Sequence, residues 1–340
     1  MRTTRLLGAL TAAALAVGLA ACSSPVSGTG DADAPADAGS GFPVTIEHVY
    51  GETVIPAQPE RIATVAWANH EVPLALGVVP VGMSKATWGD DDGDGVLPWV
   101  EERLTELGAE TPVLFDETDG IDYEAVADTR PDVILASYSG LTKEEYETLS
   151  KIAPVVAYPG NAWGTSVDDM ITMNATAMGM AEEGEKLIDE LHAQVEAALD
   201  ANGALRDKKV LFAYLDPSDL SQLGYYTAND TRPGFLNESG LPMPEIVAKH
   251  ADSTDFYLTI SAEKVDQLAD VDVLVTYGDD TTLATLQADP LLSKIPAVAA
   301  GHVAILPDAT PLAASANPSP LSIPWGLGDY FALLAEPLSK

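Results

Sequence analysis

Aromatic and polar side chains that could hold a large organic molecule occur in turns after predicted strands. The turn Trp67-Ala68-Asn69-His70 follows the first of these strands, and Ser84-Lys85-Ala86-Thr87-Trp88 follows the second. Aromatic rings bury a large area and keep a polar edge, and ligand pockets are mostly apolar with a few placed polar groups. This pattern suits a bulky organic ligand. The predicted ligand-binding residues are Trp67, Asn69, His70, Lys85, Trp88, Ser137, Tyr138, Trp163, Tyr226, Arg232, Tyr257, Tyr277 and Trp325.

Two basic residues stand out in these turns because the chain has 17 Lys and Arg against 52 Asp and Glu. Lys85 and Arg232 could contact the oxygen shell of a ligand, and an arginine does so through paired hydrogen bonds. His70 is the single histidine in these turns, whereas a bare metal ion needs three or four converging ligands. We therefore do not expect a bare-metal site, and His70 either faces the ligand or caps the helix that begins there.

A second constellation has the spacing D-x-D-x-D-G-x5-E of the EF-hand calcium loop, whose carboxylates converge on a hard cation. It consists of Asp90, Asp92, Asp94 and Glu101. However, a strand and not a helix is predicted before it, and Pro98 begins a helix inside it. A calcium site and a solvated acidic loop are therefore both open interpretations.

Charge and motifs exclude several classes of function. The 340-residue chain has a formal net charge of -35, which repels nucleic-acid phosphates. Its one cysteine leaves no intrachain disulfide and no cysteine-based zinc site. The motifs G-x-S-x-G, G-x-x-x-x-G-K-[ST], H-E-x-x-H and G-x-G-x-x-G are absent, so we predict a binding protein and not an enzyme. A secreted hydrolase with scattered Asp and His residues, or a calcium-dependent surface lipoprotein, is the alternative from another class.

The amino terminus predicts export. Residues 1–21 combine a basic start, an apolar run and small residues, which is the layout of a secretory signal peptide. Cys22 follows the small residues and resembles the lipobox cysteine that receives a diacylglycerol anchor in bacterial lipoproteins. Residues 22–41 predict a flexible tether. We expect the mature protein outside the cytoplasm, anchored to the cell membrane by a lipid on Cys22.

The elements that position these residues alternate between strands and helices. This alternation predicts an α/β fold of two lobes with mainly parallel sheets, at residues 42–165 and 203–340. Between them, residues 166–202 show helical spacing without proline, which predicts one rigid helix of about 50 Å. Strands are predicted at Arg61–Ala66, Val79–Met83, Val133–Ala136, Val155–Tyr158, Lys209–Leu215, Val271–Tyr277 and Val303–Leu306.

Short motifs in both lobes resemble one family. They are Gln58-Pro59-Glu60-Arg61-Ile62-Ala63, Leu76-Gly77-Val78-Val79-Pro80-Val81-Gly82, Arg130-Pro131-Asp132-Val133-Ile134 and Ala269-Asp270-Val271-Asp272-Val273-Leu274-Val275. With the long helix and Cys22, they make the chain resemble the periplasmic binding proteins of ABC importers, in particular the iron–siderophore and vitamin B12 cluster. The resemblance implies a class III fold, in which one rigid helix joins two lobes and the ligand cleft lies between them.

The resemblance also implies the ligand and the partners. A ferric siderophore would be captured between the lobes and delivered to the permease subunits by a monomeric protein without a resident cofactor. The family places a ligand-contacting arginine in the loop that Arg232 matches, and one permease-docking surface glutamate on each lobe, here Glu124 and Glu263. Haem or a corrinoid is the alternative ligand. Haem would need an axial ligand, for which His70, Tyr138 or Met83 could serve.

Overall fold

The structure is a computed structural model that describes residues 41–339. The first lobe combines an antiparallel hairpin, a five-stranded sheet and four helices. Its strands are β1 (Val44–His48), β2 (Gly51–Ile55), β3 (Ile62–Thr64), β4 (Gly82–Ser84), β5 (Val113–Phe115), β6 (Val133–Leu135) and β7 (Val155–Val156). Its helices are α1 (Glu71–Ala75), α2 (Pro98–Glu106), α3 (Tyr123–Asp128) and α4 (Lys143–Leu149).

The sheet of the first lobe is parallel throughout, with the strand order β5-β4-β3-β6-β7. The strands β3 and β6 are buried along their whole length, as expected when helices cover both faces of a parallel sheet. The predicted parallel sheet is confirmed. The hairpin of β1 and β2 and the short strand β5 are additional to the predicted elements.

The second lobe contains a mixed five-stranded sheet with the order β10-β9-β8-β11-β12. Its strands are β8 (Val210–Tyr214), β9 (Gln222–Tyr226), β10 (Tyr257–Ser261), β11 (Val273–Gly278) and β12 (Val303–Pro307). The strand β11 pairs in parallel with β8 and β12, whereas β9 pairs antiparallel with β8 and β10. The antiparallel part was not predicted from the sequence.

Helices and short 3-10 segments surround this second sheet. The helices are α7 (Thr231–Glu238), α8 (Glu245–Ala248), α9 (Thr282–Ala288), α10 (Pro296–Ala300), α11 (Pro311–Ser315) and α12 (Ser322–Ala335). The 3-10 segments are Gly203–Leu205, Ala262–Leu268, Leu292–Lys294 and Glu336–Ser339.

The connection between the lobes differs from the single helix predicted over residues 166–202. It consists of α5 (Val167–Ala177) and α6 (Ala181–Ala201), which meet at Gly179 with a φ of 72°. The two helices fold back on each other, since His192 on α6 pairs with Asp168 on α5 at 2.9 Å. The prediction of one continuous helix over residues 166–202 is therefore wrong in its bounds, although a single helix still connects the lobes. The connecting helix is α6, whose 21 residues span about 31 Å.

Gly179 is the residue that makes this hairpin possible. A Cβ atom there would lie 2.6 Å from the Phe42 ring, and the backbone adopts a left-handed conformation that L side chains rarely take. We expect Gly179→Ala to lower the free energy of unfolding by about 1–3 kcal/mol. Urea denaturation measures this loss. Gly203→Ala, where no atom lies within 4 Å of the new Cβ, is the matched control and should change stability by less than about 0.5 kcal/mol.

Candidate ligand-binding site

Most of the candidate side chains lie at strand ends or in the turns after them, and ligands of α/β proteins bind at the carboxyl ends of strands. Trp67, Trp88, Trp163, Tyr226 and Tyr277 are all partly buried and pack against one hydrophobic cluster. Residues of both lobes contribute to this cluster. The aromatic candidates therefore line a shared boundary between the lobes.

A row of aromatic rings crosses this boundary. Trp88 of the first lobe meets Tyr277 of the second edge-to-face, with ring centroids 5.4 Å apart. Tyr277 lies 5.4 Å from Phe212, and Phe212 lies 5.5 Å from Tyr226. Tyr226 continues the row to Tyr257 at 5.5 Å. Tilted and edge-to-face contacts at these distances are the favourable arrangement of aromatic pairs. The structure thus brings four of the predicted residues together, namely Trp88, Tyr226, Tyr257 and Tyr277.

Arg232 lies within this row. Its guanidinium carbon is 3.7 Å from the centroid of the Tyr226 ring, and Nη1 donates to the Tyr277 hydroxyl at 3.1 Å. Nε and Nη2 donate to the two carboxylate oxygens of Asp230 at 2.8 and 2.7 Å. Burial alone lowers the pKa of Arg232, but the contacts with Asp230 raise it well above its ordinary value, so the guanidinium is charged. Its side chain is 16% exposed, which leaves part of it accessible to a ligand.

Polar contacts between the lobes flank the aromatic row. The Tyr138 hydroxyl lies 3.0 Å from the Thr231 hydroxyl, and the Trp163 ring packs edge-to-face on Tyr138 at 5.5 Å. The Asn161 amide donates to the Asn229 side-chain oxygen at 2.9 Å. Tyr138 and Trp163 therefore belong to the boundary, as predicted from their positions. These contacts hold the lobes together on the side of Arg232.

The turn that carries Trp67 is held by side chains from beneath. Ala66 and Ala68 both have a φ of 61°, which non-glycine residues seldom adopt. Asn69 is fully buried and donates to the carbonyls of Val65 and Tyr138, both at 2.8 Å. Asn69 therefore shapes the turn and does not reach the surface. The same correction applies to Ser137, which is also fully buried and donates to the Asn69 side-chain oxygen at 3.3 Å.

Glu117 is a site residue that the sequence analysis missed. It follows β5, and its carboxylate accepts hydrogen bonds from the Ala66 backbone at 3.0 Å and from the Ser84 hydroxyl at 3.1 Å. Burial raises the pKa of Glu117 to about 7, although both hydrogen bonds lower it. An acidic residue two positions after a three-residue strand was the available signal, but that strand was not predicted. Glu117 fixes the strained turn that presents Trp67.

The raised pKa of Glu117 makes stability depend on pH. In the unfolded chain the carboxyl titrates near 4.5, so the native state favours the protonated form, and this contribution is lost as pH rises from about 4.5 to about 7. Relative to Glu117→Gln, the wild type should lose about 1–3 kcal/mol of unfolding free energy across this window. Urea denaturation at pH 4.5 and pH 8 measures the difference. The exposed control Glu110→Gln should differ from the wild type by the same unfolding free energy at both pH values. The same result for Glu117→Gln would contradict this role.

His70 lies below the same turn and is 7% exposed. Burial lowers its pKa to about 4, so the imidazole is neutral at physiological pH. Its Nδ1 atom is buried without a hydrogen-bond partner. The imidazole faces a cavity of about 20 Å³ that Trp67 and Lys85 also line. These three predicted residues therefore form one small polar recess in the first lobe.

Trp325 does not join the other candidates. The predicted turn around it is the first part of α12, where its ring packs 5.1 Å from Trp99 and its Nε1 donates to Glu102 at 3.3 Å. In the sequence, Pro324 indicates a turn, but a proline is also compatible with the first turn of a helix, and Pro324 lies in the first turn of α12. Trp99 itself lies in the core, with only 3% of the residue exposed.

The acidic loop matches the calcium pattern only in part. Carboxylate oxygens of Asp90, Asp92 and Asp94 lie within 4.8 Å of one another, but Glu101 on α2 is outside this group. Asp90 accepts from the backbone of Gly93 at 2.8 Å, and Asp94 accepts from Val96 at 2.8 Å. The fourth predicted ligand is therefore misplaced, and the aspartates instead accept hydrogen bonds from the backbone of their own turn.

The two predicted docking glutamates lie on the surface. Glu124 is exposed in the first turn of α3, and Glu263 is exposed in the first turn of the 3-10 segment Ala262–Leu268. Side chains of Asp122 and Ser261 cap these two turns. The predicted lipidation site, Cys22, lies outside the described residues.

Cavities beside the aromatic row are small. One of about 40 Å³ lies next to Asn229, Asp230 and Thr231, and the recess at His70 holds about 20 Å³. A larger cavity of about 470 Å³ lies between α5, α6 and α7, but none of the predicted ligand-binding residues lines it. We place the candidate site at the aromatic row because the charged, hydrogen-bonded and aromatic side chains converge there.

Comparisons with known proteins agree with this geometry. The family model described as periplasmic binding protein matches residues 62–310. The probable siderophore-binding lipoprotein YfiY of Bacillus subtilis (strain 168) is 28% identical over 239 residues, which is 68% of this chain and 67% of YfiY. The crystal structure of Streptococcus pneumoniae TIGR4 PiaA in complex with ferrichrome is similar at a TM-score of 0.84 and 46% identity, covering 87% of this chain and 98% of that one. Staphylococcus aureus SirA complexed with staphyloferrin B shares the fold at a TM-score of 0.66 and 20% identity, over 87% of this chain and 98% of SirA. The matched region contains most of both lobes and the whole aromatic row, and the chain belongs to the periplasmic binding protein family.

Proposed function

We propose that this protein captures a ferric siderophore between its two lobes and delivers it to an ABC importer. The observation that carries the proposal is Arg232 within a row of aromatic rings, in a chain 46% identical to PiaA, whose crystal structure contains ferrichrome. Guanidinium N–H groups suit the oxygen shell of a ferric chelate, and the rings suit its organic surface. Binding without a chemical reaction is then the activity of this protein.

Ligand entry requires the boundary to open. The cavities of about 20 and 40 Å³ beside Arg232 and His70 are far below the roughly 300–1,000 Å³ of sites for drug-sized ligands. Trp88 must therefore separate from Tyr277, and Tyr138 from Thr231, before a chelate can fit.

Tryptophan fluorescence tests the proposal, because Trp67, Trp88 and Trp163 line the site. The purified protein is titrated with ferrichrome, a ferric tricatecholate, ferric citrate, haem, cobalamin and bare Fe³⁺. We expect saturable quenching by a ferric chelate below 1 µM, roughly the affinity that 8 kcal/mol of binding free energy gives. A response to haem or cobalamin alone would keep the fold and move the function to that ligand.

Docking on the permease is the second part of the proposal. Glu124 and Glu263 lie one on each lobe, exposed and free to meet basic residues of two permease subunits. Exchanging both for Lys should abolish iron–siderophore uptake in cells and leave ligand affinity unchanged. Unchanged uptake would show that docking uses other residues.

Attachment to the membrane is proposed through Cys22. In the part of the chain from 41 to 339, every helix is too short or too polar to cross a bilayer. A relative, YfiY, is named a probable siderophore-binding lipoprotein, which supports the proposal. Cys22→Ser should release the protein from the membrane fraction and abolish metabolic labelling with a fatty acid, whereas a membrane-bound variant would contradict the anchor.

A further inference from the structure

Asp230 is the closest charged neighbour of Arg232 in the candidate site. The carboxylate is 3% exposed, and both its oxygens accept from the guanidinium, at 2.8 and 2.7 Å. One oxygen also accepts from the Arg232 backbone at 2.9 Å and thereby caps α7. Three contacts fix this pair, so Asp230 cannot turn away from Arg232 without leaving α7 uncapped.

The pair has no net charge, although it keeps hydrogen-bond donors. The guanidinium has five N–H groups, of which one each at Nε, Nη1 and Nη2 is used by Asp230 and Tyr277. The remaining N–H groups can donate to ligand oxygens. Because the Asp230 carboxylate lies 2.7–2.8 Å from two of the guanidinium nitrogens, its repulsion of an anionic ligand offsets much of the attraction by Arg232.

The other charges near the site do not restore a positive field. Lys85 lines the recess of the first lobe, and its charge is opposed by the carboxylate of Asp116, with which it interacts electrostatically. The chain as a whole carries a formal charge of -35, which repels anions at long range. The free N–H groups of Arg232 can therefore donate hydrogen bonds to a ligand, but the Arg232–Asp230 pair does not attract an anion by its net charge.

We infer that Asp230 is a specificity-determining residue that sets the site for chelates without net negative charge and rejects anionic ones. This inference rests on the proposed capture of ferric siderophores and names the charge class that is captured. Ferric trihydroxamates such as ferrichrome are neutral, whereas ferric tricatecholates and ferric citrate are anionic. Asp230, and not Arg232, then determines whether the site binds neutral or anionic ferric chelates.

Asp230→Asn tests the inference because asparagine caps a helix as well as aspartate and has nearly the same shape. We expect the ratio of the affinity for the ferric tricatecholate to the affinity for ferrichrome to rise at least tenfold. The gain should persist at 0.5 M NaCl, since a buried charge is poorly screened. Asp279→Asn removes one exposed charge after β11 and is the matched control, expected to change both affinities less than twofold. If Asp230→Asn and Asp279→Asn change the ratio of tricatecholate to ferrichrome affinity equally, the inference is overturned.

A second arm separates this inference from the proposed function. Iron-free citrate is used as an anionic probe, and thermal stabilisation is measured for the wild type, Asp230→Asn and the double variant Asp230→Asn/Arg232→Ala. If citrate saturably stabilises Asp230→Asn and neither of the other two proteins, the inference is supported. If the wild type binds no ferric chelate, only the proposed function is refuted. If Asp230→Asn binds citrate no better than the wild type, Asp230 does not set the charge preference. Asp230→Ser, which also keeps a capping oxygen, replaces Asp230→Asn if the latter does not melt cooperatively.

Discussion

Glu71→Ala is expected to lower the free energy of unfolding by about 3–5 kcal/mol, a large share of the total for a protein of this kind. Glu71 begins α1 in the first lobe and is completely buried. Its carboxylate accepts from Trp99 Nε1 at 2.8 Å, from the Ser319 hydroxyl at 2.5 Å and from the Leu321 backbone at 2.9 Å. Removing it leaves three buried donors without an acceptor and disconnects the segment before α12 from the first lobe.

Two further variants distinguish lost hydrogen bonds from lost packing. Glu71→Gln keeps one acceptor oxygen but turns an NH₂ group towards a donor, so about 1–2 kcal/mol should be lost. Glu102→Ala removes the exposed acceptor of Trp325 and should cost less than about 0.5 kcal/mol. Chemical denaturation followed by circular dichroism measures all three. If Glu71→Ala loses no more stability than Glu102→Ala, the buried carboxylate is not a structural link between the lobes.

Arg232→Ala is expected to weaken ferrichrome binding about 30- to 1,000-fold, which corresponds to roughly 2–4 kcal/mol. The change removes the donors for the chelate, removes the stacking on Tyr226 and leaves Asp230 as an uncompensated buried carboxylate. Arg232→Lys should recover part of the loss at most, because an ammonium group cannot stack or form the two parallel bonds to Asp230. Isothermal titration calorimetry gives the affinities.

The control for this variant is an arginine of equal charge outside the site. Arg206 pairs with Glu196 and Asp200 on the surface, both at 2.6 Å, so Arg206→Ala should change ferrichrome affinity less than twofold. Melting curves show whether Arg232→Ala is folded, since the unpaired Asp230 also reduces stability. A folded Arg232→Ala protein with wild-type affinity would place the ligand elsewhere.

Much of the fold could be predicted because its signals are local. The strands β3, β6, β8 and β11 are short apolar runs bounded by polar residues, and helices flank them. The hairpin of α5 and α6 was missed because both helices share the same spacing, and Gly179 lowers helix propensity by only about 1 kcal/mol. The left-handed φ of Gly179 is determined by tertiary packing, and the periodicity of the sequence carries no information about that packing.

Members of the candidate site could be predicted where a single residue carries the signal, as with Arg232, Trp88 and Tyr277, which the structure brings together. Partners could not be predicted when they lie far away along the chain. Glu117 contacts Ala66 across 51 residues, and Glu71 contacts Ser319 across 248 residues. Asp230 stands two residues before Arg232, yet its importance comes from the bidentate geometry and not from its position in the sequence.

A crystal structure of the protein with bound ferrichrome tests the central claim most directly. We expect the chelate between the lobes, with Arg232 donating to its iron-bound oxygens, Trp88 and Tyr226 against its surface, and Trp88 no longer in contact with Tyr277. A chelate in the cavity between α5, α6 and α7, or on the outer surface with the contact of Trp88 and Tyr277 intact, would contradict capture at the aromatic row.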